Sequence, residues 1–523
     1  MFHLFKSRRS KLAFIGVIFI GFVIRILVAW QPISILLAKN LPDDAYYYFM
    51  LAHNAIQHGI VSVDAVNPTN GFHPLWFAFL LPIFGWAHLP GNLQVHLALT
   101  LACILDVVSM WVIGQTTVVL TRKESWGVLA IWLYAINPIV ILQTTNGLET
   151  PLASLTLLLF LWLFIQWLTR SPSVTTTIFV GIAGGFMFLA RSDSVFFLGF
   201  ALLAAVWYWR NQAGLWRSIV AGIVSVLVVI PWFTWSYFAV GGWFQDSGMA
   251  VPYAIRQRVA IEYGEGISVV FGEILRQFAF LPGWLRGDAS GLPLVFGFFL
   301  WLIVLVGLFF RWRTNPVRLE MVVVLPFLGA GLALIVVHLG IRWYPRPWYF
   351  MSTAIAFAIS FILVMDAYMR SEKAVFYSVS MLSIYLIVSG YIFWQVGYYP
   401  WQIYMLETSD WISENIPTGA NVASFNSGIY AYYSNRRVVN LDGVVNHKAF
   451  QAIQQSNVLE YIHQSEIDYL IDTDNAIQRE YAPFMGKGYP EALEEIAILG
   501  GKADGPLGLL RVYRINHSFF LPP

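Results

Sequence analysis

Runs of about twenty apolar residues recur from Leu12 to Val396. Each is long enough to span a hydrocarbon core of ~30 Å as a helix. Inside a bilayer the backbone must satisfy its own hydrogen bonds, which leaves helices as the natural solution for such segments. Hydrophobic residues make up 58% of the chain and charged residues only 11%, against the ~45–50% apolar content of a soluble domain. The expected fold is therefore an all-α polytopic membrane protein.

The candidate spans are roughly 12–36, 93–120, 125–143, 150–168, 174–190, 194–209, 217–239, 291–310, 320–340, 349–368 and 374–396. The apolar stretch Phe72–Trp86 is ambiguous, and every later loop changes side if it crosses. Loop charge decides the matter. If the stretch lies flat, the short cytoplasmic loops hold Arg122, Lys123, Arg170, Arg210, Arg217, Arg311, Arg313, Arg318, Arg370 and Lys373, and the opposite short loops hold only Arg191, Arg342 and Arg346. Phe72–Trp86 then reads as an interfacial helix, leaving eleven spans, a cytoplasmic N-terminus and an extracytoplasmic C-terminal region. Lys6, Arg8, Arg9 and Lys11 precede the first apolar run as in a signal peptide, but that run continues past Trp30 and reads as an uncleaved span.

Beyond the last span the composition changes, and 397–523 reads as a small extracytoplasmic α/β domain after a transmembrane module at 1–396. Helices are expected at Trp411–Pro417, Ala449–Gln455 and Leu459–Gln464, and strands at Asn421–Phe425, Val438–Leu441 and Tyr469–Asp472. The net charge of +2 and the lack of basic runs away from the membrane flanks give no reason to expect nucleic acid. The single cysteine, Cys103, excludes a disulfide framework and a Cys-based metal site.

Polar residues without a topological role gather on the outer side. Asp43 and Asp44 follow Pro42 and open an amphipathic stretch; one acid would serve as a helix cap, and two exceed that need. Close carboxylates shift each other's pKa and can share base and hydrogen-bonding roles. Tyr46–Phe49 could stack on a sugar, although an aromatic belt explains them almost as well. His73 follows an Asn-Gly turn, Glu149 opens a span, and Arg191 with Asp193 forms a candidate ion pair. Arg342 and Arg346 lie outside, against the topological trend for arginine, and suit phosphate recognition. Arg256, Arg258, Arg276 and Arg286 carry the same idea diffusely. Arg25, inside the first span, snorkels or pairs.

In order along the chain, Asp43-Asp44-Ala-Tyr, Asn-Pro-Thr-Asn-Gly-Phe-His-Pro-Leu-Trp, Asn-Gly-Leu-Glu-Thr, Leu-Ala-Arg-Ser-Asp and Pro-Arg-Pro-Trp-Tyr resemble the GT-C class of integral-membrane glycosyltransferases. The branch is that of protein O-mannosyltransferases, lipid A aminoarabinose transferases and mycobacterial arabinofuranosyltransferases, and the likeness covers about residues 10–370. The resemblance implies a polyprenyl-phosphate-linked sugar as donor, a lipid, glycan or protein acceptor, and a site on the outer face of the cell membrane. It assigns the acidic dyad to Asp43 and Asp44, with the first as base, a second acidic position to Glu149, and the lipid-phosphate arginine to Arg346. Close relatives read Arg-Tyr where this chain reads Arg346-Pro-Trp, which leaves Arg342 and Arg346 both in contention. Some relatives bind a divalent cation; the carboxylates here permit one without ligand spacing that demands it. A transporter or lipid flippase is the main alternative and predicts charges deep within the spans. A membrane-anchored scaffold is a third reading, and it leaves the acidic pair idle.

Overall fold

The apolar runs fold as helices. The computed structural model describes residues 5–520 apart from 87–88, 171–172, 211, 261–266, 281–290, 315–317, 342–345 and 504–506. Among the described residues, nine helices are long and apolar enough to cross a membrane. These are α1 (Arg8–Ala29), α5 (Gly91–Thr121), α8 (Thr150–Thr169), α10 (Val195–Trp209) together with the helical turn Ser192–Ser194 before it, α11 (Gln212–Val240), α14 (Gly291–Thr314), α15 (Leu319–Ile341), α16 (Met351–Tyr368) and α17 (Glu372–Val396). A 17-residue helix, α9 (Val174–Ala190), matches another expected segment.

The remaining segment departs from expectation. Residues 125–143 form α6 (Glu124–Ala135) and α7 (Pro138–Thr144), bent by 65°. Pro138 has no N–H to continue the ladder, and the Asn137 side chain accepts from Ile139 N at 3.0 Å to start a new helix. The first run also stops early. α1 ends at Ala29, and Pro32 opens a separate short helix, α2 (Ile33–Lys39).

Helix α16 is the most buried span and packs against α5, α6, α7, α8, α14 and α15. Arg25 on α1 is fully buried, with bonds to its own helix and to two neighbouring ones. Its Nε donates to Asp106 on α5 at 2.6 Å, and its NH1 donates to the carbonyls of Gly21 and Ala135 at 3.0 Å. Tyr134 of α6 donates to the other Asp106 oxygen at 2.6 Å. This buried pair joins three helices, and losing one partner strands a charge.

The first long loop carries α3 (Asp43–Gln57) and α4 (Pro74–Phe84). In the middle of the chain, α12 (Ser247–Ala260) and α13 (Ile267–Phe278) precede α14. Beyond α17 come α18 (Gln402–Asn415), β1 (Val422–Ser424), α19 (Gly428–Tyr433), β2 (Val438–Asn440), α20 (His447–Gln455), α21 (Val458–Gln464), β3 (Tyr469–Thr473), β4 (Leu493–Gly501) and β5 (Leu509–Ile515). The sheet order is β2-β1-β3-β5-β4, parallel among the first three and antiparallel thereafter. The β4–β5 hairpin and α19 were absent from the sequence reading.

The C-terminal domain is fastened to the first loop. Backbone amides of Tyr398 and Tyr399 donate to Lys39 O and Ala38 O of α2 at 2.9 and 3.1 Å. Gln402 works both ways: its Oε1 accepts from Asp43 N at 2.7 Å, and its Nε2 donates to Leu37 O and Leu41 O at 2.8 Å.

Replacing Asp106 by alanine should destabilise the bundle by about 3–5 kcal/mol. The double change Arg25→Met with Asp106→Ala should cost less than Asp106→Ala alone, because no charge is then stranded. Unfolding of the detergent-purified variants measures both.

Candidate active site

Helix α3 begins at Asp43, and its first turn holds both acids, where the helix dipole favours negative charge. Neither caps the helix through its side chain. Adjacent residues on a helix diverge by about 100°, so the pair cannot face one way, whereas residues four apart align. Asp43 lies in register with Tyr47, and Asp44 with Tyr48.

The first register faces the C-terminal domain. Asp43 is buried, and its two carboxylate oxygens accept from Gly428 N at 3.0 Å and Ile429 N at 2.6 Å, at the start of α19. A Cβ on Gly428 would lie 2.3 Å from Asp43 O, so only glycine permits this approach. Tyr47 OH accepts from Ser427 N at 3.3 Å and Asn440 Nδ2 at 3.2 Å. Tyr46 is fully buried, packs on Tyr432 and Tyr433 and shares a hydroxyl–hydroxyl bond of 3.1 Å with Tyr433. The aromatics next to the dyad are thus a domain seam.

The second register faces an open recess. Tyr48 OH donates to Glu149 Oε2 at 2.9 Å and accepts from His73 N at 3.0 Å. Glu149 occupies the N-cap position of α8, yet its side chain makes no cap bond. It pairs instead with Arg191, and His73 Nε2 approaches the same Glu149 oxygen at 3.5 Å. Arg191 Nε also holds Asp193 at 2.9 Å, and its guanidinium lies over the Tyr349 ring, 4.7 Å from the centroid. The structure therefore joins His73, Glu149, Arg191 and Asp193 in one network.

Asp44 is exposed, yet surrounding atoms desolvate its carboxyl. That combination describes the wall of a concavity. Burial raises its pKa, the Arg346 guanidinium lowers it, and Glu149 raises it. Arg346 and Asp44 also act on Tyr399, which fixes them in one neighbourhood. Arg342 and Arg286 lie outside the described residues. Of the diffuse arginines, Arg276 pairs with Glu273 of its own helix, and Arg256 is exposed.

Electrostatics separates the carboxylates further. Burial pushes Asp43 up to about 7, against its two amide bonds and with help from Asp44. Burial also opposes the charge on Glu149, but His73, Arg191 and Tyr48 outweigh it and leave the carboxyl below the ordinary glutamate range. Burial lowers His73, with Glu149 and Asp193 opposing that shift and Arg191 adding to it. No group of three His, Cys, Asp or Glu side chains converges as a metal site among the described residues.

The sequence singled out Tyr47 and Tyr48 only as part of an aromatic cluster, not for their hydroxyl bonds, and it did not point to Gln402. The signal for the tyrosines was the four-residue spacing from each aspartate.

A family profile described as "Domain of unknown function (DUF8728)" matches residues 395–509. No curated protein matches the chain by sequence. Solved structures match it by fold. The apo oligosaccharyltransferase of Archaeoglobus fulgidus aligns with a TM-score of 0.59 at 14% identity, over 97% of this chain and 76% of that one. AglB from the same organism, in complex with an inhibitory peptide and a dolichol-phosphate, gives 0.57 at 14% identity over 99% and 75%. ArnT from Cupriavidus metallidurans, bound to undecaprenyl phosphate, gives 0.57 at 12% identity over 99% and 100%. The chain has their fold. This agrees with the GT-C resemblance carried by its motifs.

A carboxyl raised in the folded state binds its proton more tightly folded than unfolded. The stability that Asp43 contributes is therefore full below its unfolded value of 3.8 and lost as pH rises through about 7. Melting temperature should fall between about pH 4 and 7, and Asp43→Asn should remove up to about one proton's share of that slope. Thermal unfolding across this range in both proteins provides the check; an unchanged slope contradicts it.

Proposed function

We propose that the protein is a membrane glycosyltransferase that moves a sugar from a polyprenyl-phosphate donor to an acceptor hydroxyl on the extracytoplasmic face. The observation that carries the reading is the recess at Asp44, where a desolvated, solvent-open carboxyl shares its surroundings with the Arg346 guanidinium and the Glu149 network. A base and a cation so disposed suit a reaction that removes a proton at one end and expels a phosphate at the other.

In this reading Asp44 takes the proton from the acceptor hydroxyl as its oxygen attacks the anomeric carbon. A new carbon–oxygen bond forms, the bond to phosphate breaks, and its electron pair leaves with the phosphate oxygen. Arg346 stabilises the charge growing there, and Arg342 remains a second candidate for that role. One displacement inverts the anomeric configuration. The raised pKa of Asp44 suits a base, since a group titrating nearer the working pH accepts a proton more effectively. The Glu149–Arg191–Asp193 network, with His73 and Tyr48, forms a braced polar wall for sugar hydroxyls.

The motif resemblance gives the base role to Asp43. Its oxygens are occupied by the Gly428 and Ile429 amides, which favours Asp44. Lipid phosphate as the donor's carrier draws support from the undecaprenyl phosphate and dolichol-phosphate held by the two similar structures. The acceptor is a hydroxyl of a lipid, glycan or protein. The membrane is the cell membrane, with the N-terminus cytoplasmic and the C-terminal domain outside. The transporter alternative loses its main support, because Arg25 is bound by Asp106 and two carbonyls.

The test is transfer by nanodisc-embedded protein from a panel of radiolabelled polyprenyl-phosphate sugars. On a donor that works, Asp44→Asn should lower kcat by roughly 100-fold or more, whereas Asp43→Asn, which gives up one of two amide bonds at the seam, should lower it less. Equal rates for wild type and Asp44→Asn overturn the assignment.

A further inference from the structure

His73 is the one ring in the Glu149 network whose proton can sit on either of two nitrogens. Its other neighbour is Gln245, in the segment 241–246 that joins α11 to α12. Asn70, in the turn before His73, seats that segment. Its Nδ2 donates to Ser236 Oγ at 2.7 Å and Phe244 O at 2.8 Å, and its Oδ1 accepts from Asp246 N at 3.0 Å. Asp246 is fully buried, and its Oδ1 meets His447 Nδ1 of α20 at 2.9 Å. The segment is thus held between the first loop and the C-terminal domain, with the Gln245 amide against His73.

Gln245 Nε2 donates to Phe72 O at 2.5 Å. A backbone carbonyl only accepts, so turning the amide round would set oxygen against oxygen. The same Nε2 lies 3.3 Å from His73 Nδ1. Its second hydrogen therefore goes to Nδ1, which must present a lone pair there. A neutral imidazole with Nδ1 bare carries its proton on Nε2. His73 Nε2 lies 3.5 Å from Glu149 Oε1, so this tautomer puts the ring N–H, not a lone pair, beside the carboxylate. The opposite tautomer would set N–H against N–H at Gln245 and a lone pair against the carboxylate at Glu149. Ser192 Oγ donates to Gln245 Oε1 at 3.2 Å and occupies the other end of the amide. The contacts on both sides of the ring agree on one proton position.

We propose that Gln245 is a positioning residue of the site, holding His73 as the Nε2–H tautomer so that the ring offers Glu149 a neutral N–H. Glu149 then meets donors at both oxygens, Tyr48 at one and Arg191 with the His73 N–H at the other. A bare Nε2 would repel that carboxylate and loosen the wall that, in the transferase reading, faces the sugar hydroxyls. Through Asp246 and His447, the C-terminal domain helps to seat the segment that carries Gln245. The consequence for transfer rests on the transferase reading, whereas the tautomer does not, and the experiment reads each by itself.

The full-length protein in lipid bilayers, carrying heavy-nitrogen histidine, would be read by solid-state NMR at neutral pH. The His73 signals are assigned by their loss in His73→Phe. Wild type should show His73 with a bare Nδ1 and a protonated Nε2. Gln245→Glu offers Nδ1 an acceptor in place of a donor and should move the proton onto Nδ1. Gln245→Met keeps the length of the side chain without its hydrogen bonds. On a polyprenyl-phosphate sugar that works as donor, it should raise KM roughly fivefold, the worth of one neutral hydrogen bond, with a smaller change in kcat. A protonated Nδ1 in the wild type overturns the proposal, and so does a His73 spectrum in Gln245→Glu identical to that of wild type. An unchanged KM in Gln245→Met overturns the part given to Gln245 in transfer. If the wild type shows the expected ring but transfers from no donor, the tautomer assignment stands and the transferase reading falls.

Discussion

Two backbone amides at the start of α19 bind the carboxylate of Asp43, and the arrangement of the site depends on that contact. It turns the first acid of α3 into a fastener between the first loop and the C-terminal domain. The helical repeat then directs the second acid elsewhere, because adjacent side chains diverge by about 100°. Asp44 and Tyr48 face the recess; Asp43 and Tyr47 face the seam. One turn of helix thereby joins two domains and, in the proposed reading, supplies the base. Gly428 makes the contact feasible, and Gln402 reinforces it by binding the end of α2 and the start of α3 together.

The buried charges follow a common rule with two outcomes. Arg25 and Asp106 satisfy each other within the bundle, aided by Tyr134 and two carbonyls, and hold helices in register. Glu149 and Arg191 do the same near the recess, where His73, Tyr48 and Asp193 complete the set. Asp44 differs in being exposed while still desolvated, which is the condition for a group that exchanges its partner during a reaction. Paired charges build the frame, and Asp44 is left exposed.

Much of the architecture was legible because hydropathy and length alone mark apolar helices. The kink after Ile136 was legible in principle from Asn137-Pro138, but the apolar run across it masked the break. The β4–β5 hairpin escaped because β4 is largely exposed and carries two register irregularities, which spoil strict alternation. In the site, Glu149, Arg191, Asp193 and His73 could be named from polar residues outside the topological pattern. Their mutual pairing could not, since Glu149 and Arg191 are 42 residues apart in the chain. The division of labour between Asp43 and Asp44 was the hardest to see. It depends on a partner 385 residues away, which adjacency in sequence does not reveal.

Hydrogen exchange at Gly428 and Ile429 tests that split most directly. The first amides of a helix lack partners within it, so these two depend on Asp43 for their bonds. The account predicts strong protection of both amides in the wild-type protein and its loss in Asp43→Ala, with β1 and β3 still protected. Exchange of both amides at the rate of freely hydrated groups in the wild type would contradict it.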